Sequence, residues 1–299
     1  MEVLPSLLSL LVTVFAVSSM LSAGLRYDLS SIIEPLRDIP GIITAVITNF
    51  LLVPLLAVGI LWLIPLDRPM ATGMIIVSAA AGAPMLIKLA ANAGEDVAFA
   101  AAILVLLLIV TMAYMPLVVP LLADETTQVS AWAIARPLLF TMLVPLIAGF
   151  IIKQLTSRLA AAALPYLGII VNISLVTMVA LVIYLNLGSV IGVFGTGAII
   201  AALLLIGGAF GIGYLVGTFD RSEKTVLGFA TAQRNFAAAN VVAIQSFTDS
   251  GVLVMAVVIS VVALLLVPLS MVFGKRDMKN MDGQAKTLAA QKEPTRPRV

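Results

Sequence analysis

Runs of about 20 apolar residues, divided by short polar breaks, repeat along nearly the whole chain, and each run is long enough to cross the hydrocarbon core of a bilayer as a helix. The pattern predicts nine spans: A at 3–25, B at 40–65, C at 69–91, D at 97–123, E at 131–153, F at 163–187, G at 189–217, H at 224–247 and I at 250–274. Residues 275–299 follow as a polar segment with alternating Pro and Arg and almost no apolar content, which reads as a disordered cytoplasmic tail. Span A reads as a membrane helix rather than a cleavable signal, because Glu2 stands where a basic region is expected and no small-residue cleavage site stands out. The glycines of span G (Gly207, Gly208, Gly211, Gly213 and Gly217) suggest close helix packing rather than a nucleotide loop.

Composition narrows the class. Of 299 residues, 62% are hydrophobic and 11% charged, against about 45–50% and about 25% in a soluble domain. So few charges could not cover the surface of a soluble enzyme of this size. A net charge of +2 argues against a nucleic-acid partner. With neither Cys nor His, disulfides, thiolate chemistry, Cys/His metal sites and imidazole catalysis are all excluded. There is no HExxH, no GxSxG and no carboxylate inside a span, so neither enzymatic activity nor a cofactor is expected.

Lys and Arg set the expected orientation. Thirteen of them, Arg26, Arg37, Lys153, Arg158, Arg221, Lys224 and the seven of the tail, collect on one side, against Arg68 and Arg136 on the other. The bias puts the C-terminus in the cytoplasm and the N-terminus outside, for an integral protein of a plasma membrane, in a prokaryote the inner one. Two basic residues remain inside spans: Lys88 in C and Arg234 in H. Each cation at a span centre costs about 2.5–3.5 kcal/mol, so the fold must offer it compensation.

The surrounding residues indicate how. Lys88 ends the stretch SAAAGAPMLIK, where Gly82 and Pro84 interrupt the helix. Arg234 sits in ATAQRNFAAAN, with Gln233, Asn235 and Asn240 among alanines. Broken helices inside a membrane line protein or a wet cavity, and their half-helix ends bind ions. One break in each half of the chain points to a transporter site. Snorkelling of Lys88 and a purely structural Arg234 bonded to helix carbonyls are the competing readings. Pro54, Pro116, Pro145 and Pro268 read mostly as kinks, and the Asn172-Ile-Ser174 triplet lies inside span F, where glycosylation has no meaning.

In the order and spacing of FAVSSMLSAGL near the start, NFLLVP at 49–54, the Gly-Ala-Pro break in C, the Pro116-bearing span D and TAQRNFAAANVVAIQSF in H, the chain resembles the bile acid:sodium symporter superfamily. The resemblance covers spans A to I. It implies an all-α polytopic inverted-repeat fold with two broken, crossing helices. A and F, B and G, C and H, and D and I would pair, leaving E alone. The transporter domain would fill 1–274, with a core of 40–123 and 189–274 and a panel of 3–25 and 131–187. Compared with sodium-coupled relatives, Leu86 and Ile87 stand in place of Ser-Asn, followed by Lys88. Phe229 stands in place of a Glu, Arg234 in place of Asn, Asn49 in place of Gln, and Ala100 and Leu104 in place of hydroxyls, while Gln233 is kept.

The resemblance thus implies a sodium-independent carrier of a small organic anion. Lys88 and Arg234 would replace the ions together with Asn49, Gln233, Phe229, Leu86 and Ile87. The anion would meet Arg234, Asn235, Asn240, Pro84 and Lys88. Lys88 is expected to brace the crossing through half-helix carbonyls, Asn49 and Gln233. The alternative is a membrane sensor or scaffold that keeps the fold without transporting. Beyond the lipid bilayer and the anion no partner is implied, and proton-coupled and uncoupled movement both stay open.

Overall fold

The computed structural model describes residues 3–26, 39–122, 130–217 and 221–275, and their regular structure is all helical, without strands. The helices run as α1 (Val3–Arg26), α2 (Ile39–Ile47), α3 (Val53–Leu63), α4 (Arg68–Ala79), α5 (Met85–Ala93), α6 (Val97–Leu122), α7 (Ala131–Leu138) and α8 (Val144–Leu155). They continue as α9 (Ser157–Leu185), α10 (Leu187–Gly192), α11 (Ala198–Val216), α12 (Arg221–Ala232), α13 (Phe236–Ser246) and α14 (Ser250–Val262), and residues 266–275 are helical again. Single π-helical turns, Thr48–Leu52 and Leu139–Leu143, join α2 to α3 and α7 to α8. Both precede a Val-Pro pair, Val53-Pro54 and Val144-Pro145, because proline cannot donate to the carbonyl four residues back and the ladder slips by one residue.

Among the described residues, seven helices are long and apolar enough to cross a membrane, spanning α1, α2–α3, α6, α7–α8, α9, α11, and α14 through 275. Two further segments, α4–α5 and α12–α13, are each interrupted, as expected for C and H. Asp67 caps α4 by accepting from the Met70 amide at 3.1 Å, and α5 ends on Gly94 in the left-handed conformation (φ 75°).

Two boundaries differ from the sequence expectation. Span F starts at Ser157 rather than 163, since Ser157 to Leu185 runs as one helix. Span G does not begin at 189: a short α10 comes first, then a Gly-Thr-Gly corner with Gly195 (φ 97°) and Gly197 (φ 83°), and α11 starts at Ala198. Apolarity alone could not register a corner set by two positive-φ glycines. The tail lies outside the described residues apart from Lys275.

Packing follows small residues. α1 lies along α8 and α9, and Gly24 of α1 faces Gly149 of α8 so closely that a Cβ on either would sit 2.9 Å from the other's Cα. α4 packs on α14, and α11 on α12. In span G the glycine expectation holds for Gly208, Gly213 and Gly217, which meet Leu56, Thr231 and Lys224, but not for Gly207 and Gly211, which face open space.

Candidate crossing site and cavity

The two breaks meet in the interior. After α4, Ala80 turns extended and Gly82 takes φ 77°, where a Cβ would approach the Leu108 nitrogen to 2.7 Å. Only glycine fits there, because both the dihedral and the space forbid a side chain. The Thr111 hydroxyl of α6 receives the Ala81 N–H and donates to the Ala81 carbonyl, both at 2.9 Å. One buried hydroxyl thereby satisfies a peptide that the break has removed from the helical ladder. The second break joins the first directly, the Asn235 amide donating to the Ala80 carbonyl at 2.8 Å. Asn235 then caps α13, its side chain accepting from the Ala238 amide at 3.1 Å.

Arg234 fills the space where the halves cross and is fully buried. Its Nε donates to the Val77 carbonyl at 3.3 Å, and one terminal nitrogen donates to Asn49 Oδ1 at 2.9 Å and to the Thr231 carbonyl at 3.1 Å. The other donates to the Asn49 carbonyl at 3.4 Å and to the Ser78 carbonyl. A guanidinium has five N–H donors, and five oxygen contacts meet them. Val77 and Ser78 end α4 and Thr231 ends α12, so the cation sits at two helix C-termini, where the backbone dipoles are negative. Neutral oxygens alone surround it; no carboxylate is among its hydrogen-bond partners.

The Asn49 carbonyl is free because of local sequence. In the π turn the Val53 amide bonds the Thr48 carbonyl instead of that of Asn49, and Pro54 has no N–H for Asn49 or Phe50. Arg234 takes up the first orphan, and the Tyr114 hydroxyl donates to the second, the Phe50 carbonyl, at 2.5 Å. Asn49 itself is held by donating to the Ala45 carbonyl at 3.0 Å and to the Thr231 hydroxyl at 3.5 Å. The motif NFLLVP thus prepares a carbonyl and an amide oxygen for a cation.

Beside the crossing opens a cavity of about 890 Å³ between α1 and α9 on one wall and α5, the two breaks and residues 260–267 on the other. Its lining is mostly apolar, with Ser19, Ser22, Asn172, Gln233 and Asn235 as polar spots and two cations, Lys88 and Arg26. Pro84, at the start of α5, and Ile87 also line it. The side-chain amide nitrogen of Asn235, Nδ2, is buried without a hydrogen-bond partner.

The structure brings Arg234 and Asn49 together and sets Lys88 apart. Lys88 is exposed in the cavity and is not among the partners of Asn49 or of the half-helix carbonyls, so the expectation that it braces the crossing is corrected. It lies one turn past the break as an exposed residue, while Leu86 is buried in the core. Gln233 lines the cavity instead of contacting Lys88. Phe229 packs edge-on against Phe210 and Phe273, with ring centroids 5.1 and 5.9 Å away, so an aromatic cluster occupies its surroundings. Asn240 is buried against Met178 rather than lining the cavity, and its side-chain oxygen has no partner. Sequence reasoning missed Thr111 and Tyr114, whose signal was two polar groups three residues apart in an apolar span. It also passed over Asn172 and Arg26. Among the described residues no cluster of His, Cys, Asp or Glu could hold a metal ion.

Long apolar helices around two interrupted ones, tied together at their breaks beside a cavity, define an integral, polytopic membrane protein of the broken-helix class. The chain belongs to the Sodium Bile acid symporter family, whose model matches residues 13–193. It is 27% identical over 206 residues to the "Uncharacterized sodium-dependent transporter YocS" of Bacillus subtilis (strain 168), a match covering 69% of this chain and 63% of that relative. The chain therefore spans just under two thirds of the length of the curated relative it matches.

Proposed function

We propose that the protein is a secondary carrier of a small organic anion that works by alternating access and does not need sodium. In this reading α4–α5 and α12–α13 each cross the bilayer as broken helices and complete a set of nine crossings. These form inverted repeats with a core of 40–123 and 189–274 and a panel of 3–25 and 131–187. The packing of α1 on α8 and α9, and of α4 on α14, supports that division. The Lys and Arg near the C-terminal ends of α1 and α8, Arg26, Arg37, Lys153 and Arg158, support a cytoplasmic C-terminus and an outer N-terminus. Arg26 and Lys88 would then face the cytoplasm, and the cavity would be the inward-open route.

The observation that carries the reading is Arg234, buried with its donors committed to half-helix carbonyls and to Asn49. A fixed guanidinium occupies the region where a mobile cation would otherwise knit the crossing, and it repels a second cation. At an effective dielectric of about 20, two unit charges 4 Å apart repel by about 4 kcal/mol. The relative's name includes sodium dependence, and the family's name sodium symport. This chain departs from both because its cation is tethered and cannot cycle. Lys88, Asn235 and the N-termini of α5 and α13, which bound the cavity, supply positive charge and donors for an anion.

The test is uptake of an organic anion, found by a ligand-stabilisation screen, into proteoliposomes with sodium replaced by potassium or choline. Equal uptake is expected. A large loss on replacement would overturn sodium independence, and absence of any uptake would favour a scaffold.

A further inference from the structure

The cavity lining holds two cations and no carboxylate. Lys88 stands on α5, which packs against α6 and α12; Arg26 stands in the last turn of α1, which packs against α8 and α9. The two charges therefore stand on different helices of the lining. Both are exposed, and the buried Arg234 lies behind the break whose flanking residues, Gln233 and Asn235, share the lining. The positive ends of α5 and α13 open on the same space, and the unpartnered amide nitrogen of Asn235 is buried there as well.

Two like charges facing one cavity repel each other, and a pair of anionic groups neutralises both. The same lining includes apolar Val171, Leu175 and Val179 of α9, which favour a hydrocarbon body. We propose that the cavity is a two-point clamp for a dianion with anionic groups at both ends of an apolar body. One end meets Lys88 and the Asn235 amide, and the other meets Arg26. The inference rests on the cavity being the substrate route and deepens it, making Arg26 a specificity-determining residue.

The experiment measures binding to the purified full chain at fixed ionic strength. The probes are the α,ω-dicarboxylates from succinate to dodecanedioate, each paired with the monocarboxylate of equal carbon number. At least one dicarboxylate is expected to bind about tenfold tighter than its partner. Arg26→Gln should bring that dicarboxylate to the level of the monocarboxylate, and Arg26→Lys should restore the preference. Lys88→Gln should weaken both. Equal binding throughout the series, or a preference that survives Arg26→Gln, would overturn the clamp. Monocarboxylates that bind and are carried with no dicarboxylate advantage would remove the clamp and leave the anion carrier standing. If neither class binds, both fall.

Discussion

Replacing Arg234 by Ala removes the group that fills the crossing. Five oxygens lose a donor: the carbonyls of Val77, Ser78, Thr231 and Asn49, and Asn49 Oδ1. The Val77 carbonyl keeps the Ala80 N–H at 3.1 Å, so four acceptors are left unpaired; each costs about 1–3 kcal/mol, and the lower end of the loss is about 4 kcal/mol. Removing a cation from the membrane interior returns about 2.5–3.5 kcal/mol. The net destabilisation is then about 1 kcal/mol at its lower end, which lowers Tm by roughly 2–4 °C on the scale of a large domain. The vacated oxygens, three of them at helix C-termini, are also the ligand type that hard cations take. At a sodium concentration about 100 times the dissociation constant, binding would return about 2.7 kcal/mol. The assay is thermal unfolding of purified protein in sodium chloride against choline chloride at equal ionic strength. The parent chain should melt at the same temperature in both salts. Arg234→Ala should melt lower in choline and recover in sodium. Stabilisation of the parent chain by sodium would refute the reasoning, as would a variant that matches the parent in choline. A variant that sodium fails to rescue would refute the equivalence of guanidinium and ion.

Tyr114→Phe should cost about 1–3 kcal/mol, because the Phe50 carbonyl loses the hydroxyl that replaces the missing proline donor; a Tm drop without change in helix content checks it. Gly82→Ala should cost at least about 1–3 kcal/mol from strain at φ 77°, with the contact to the Leu108 nitrogen adding to it, and should show as poor yield of folded protein. Lys88→Gln should shift stability by no more than about 0.5 kcal/mol, since the side chain is exposed, yet reduce anion uptake about tenfold by removing a charge-assisted contact; a stability loss like that of Arg234→Ala would contradict the separation of the two cations.

The sequence by itself determined the helical membrane class, because runs of about 20 apolar residues with so few charges have no other stable use. It also located both breaks, since Gly82-Ala-Pro84 and the polar Gln233-Arg234-Asn235 cannot continue a ladder among apolar neighbours. It singled out Arg234 and Asn49. Only the tertiary structure separated Arg234 from Lys88. The two look alike in composition and local context, but which carbonyls a cation reaches depends on how α4, α12 and the π turn at Thr48–Leu52 converge, and those contacts join residues more than 150 positions apart. The role of Pro54 was equally hidden, because a proline shows in the chain as a lost donor, while the donors that replace it, Arg234 and Tyr114, arrive from other helices. Arg26 read as a loop charge until α1 folded against α9 and turned its last residue onto the cavity that Lys88 faces.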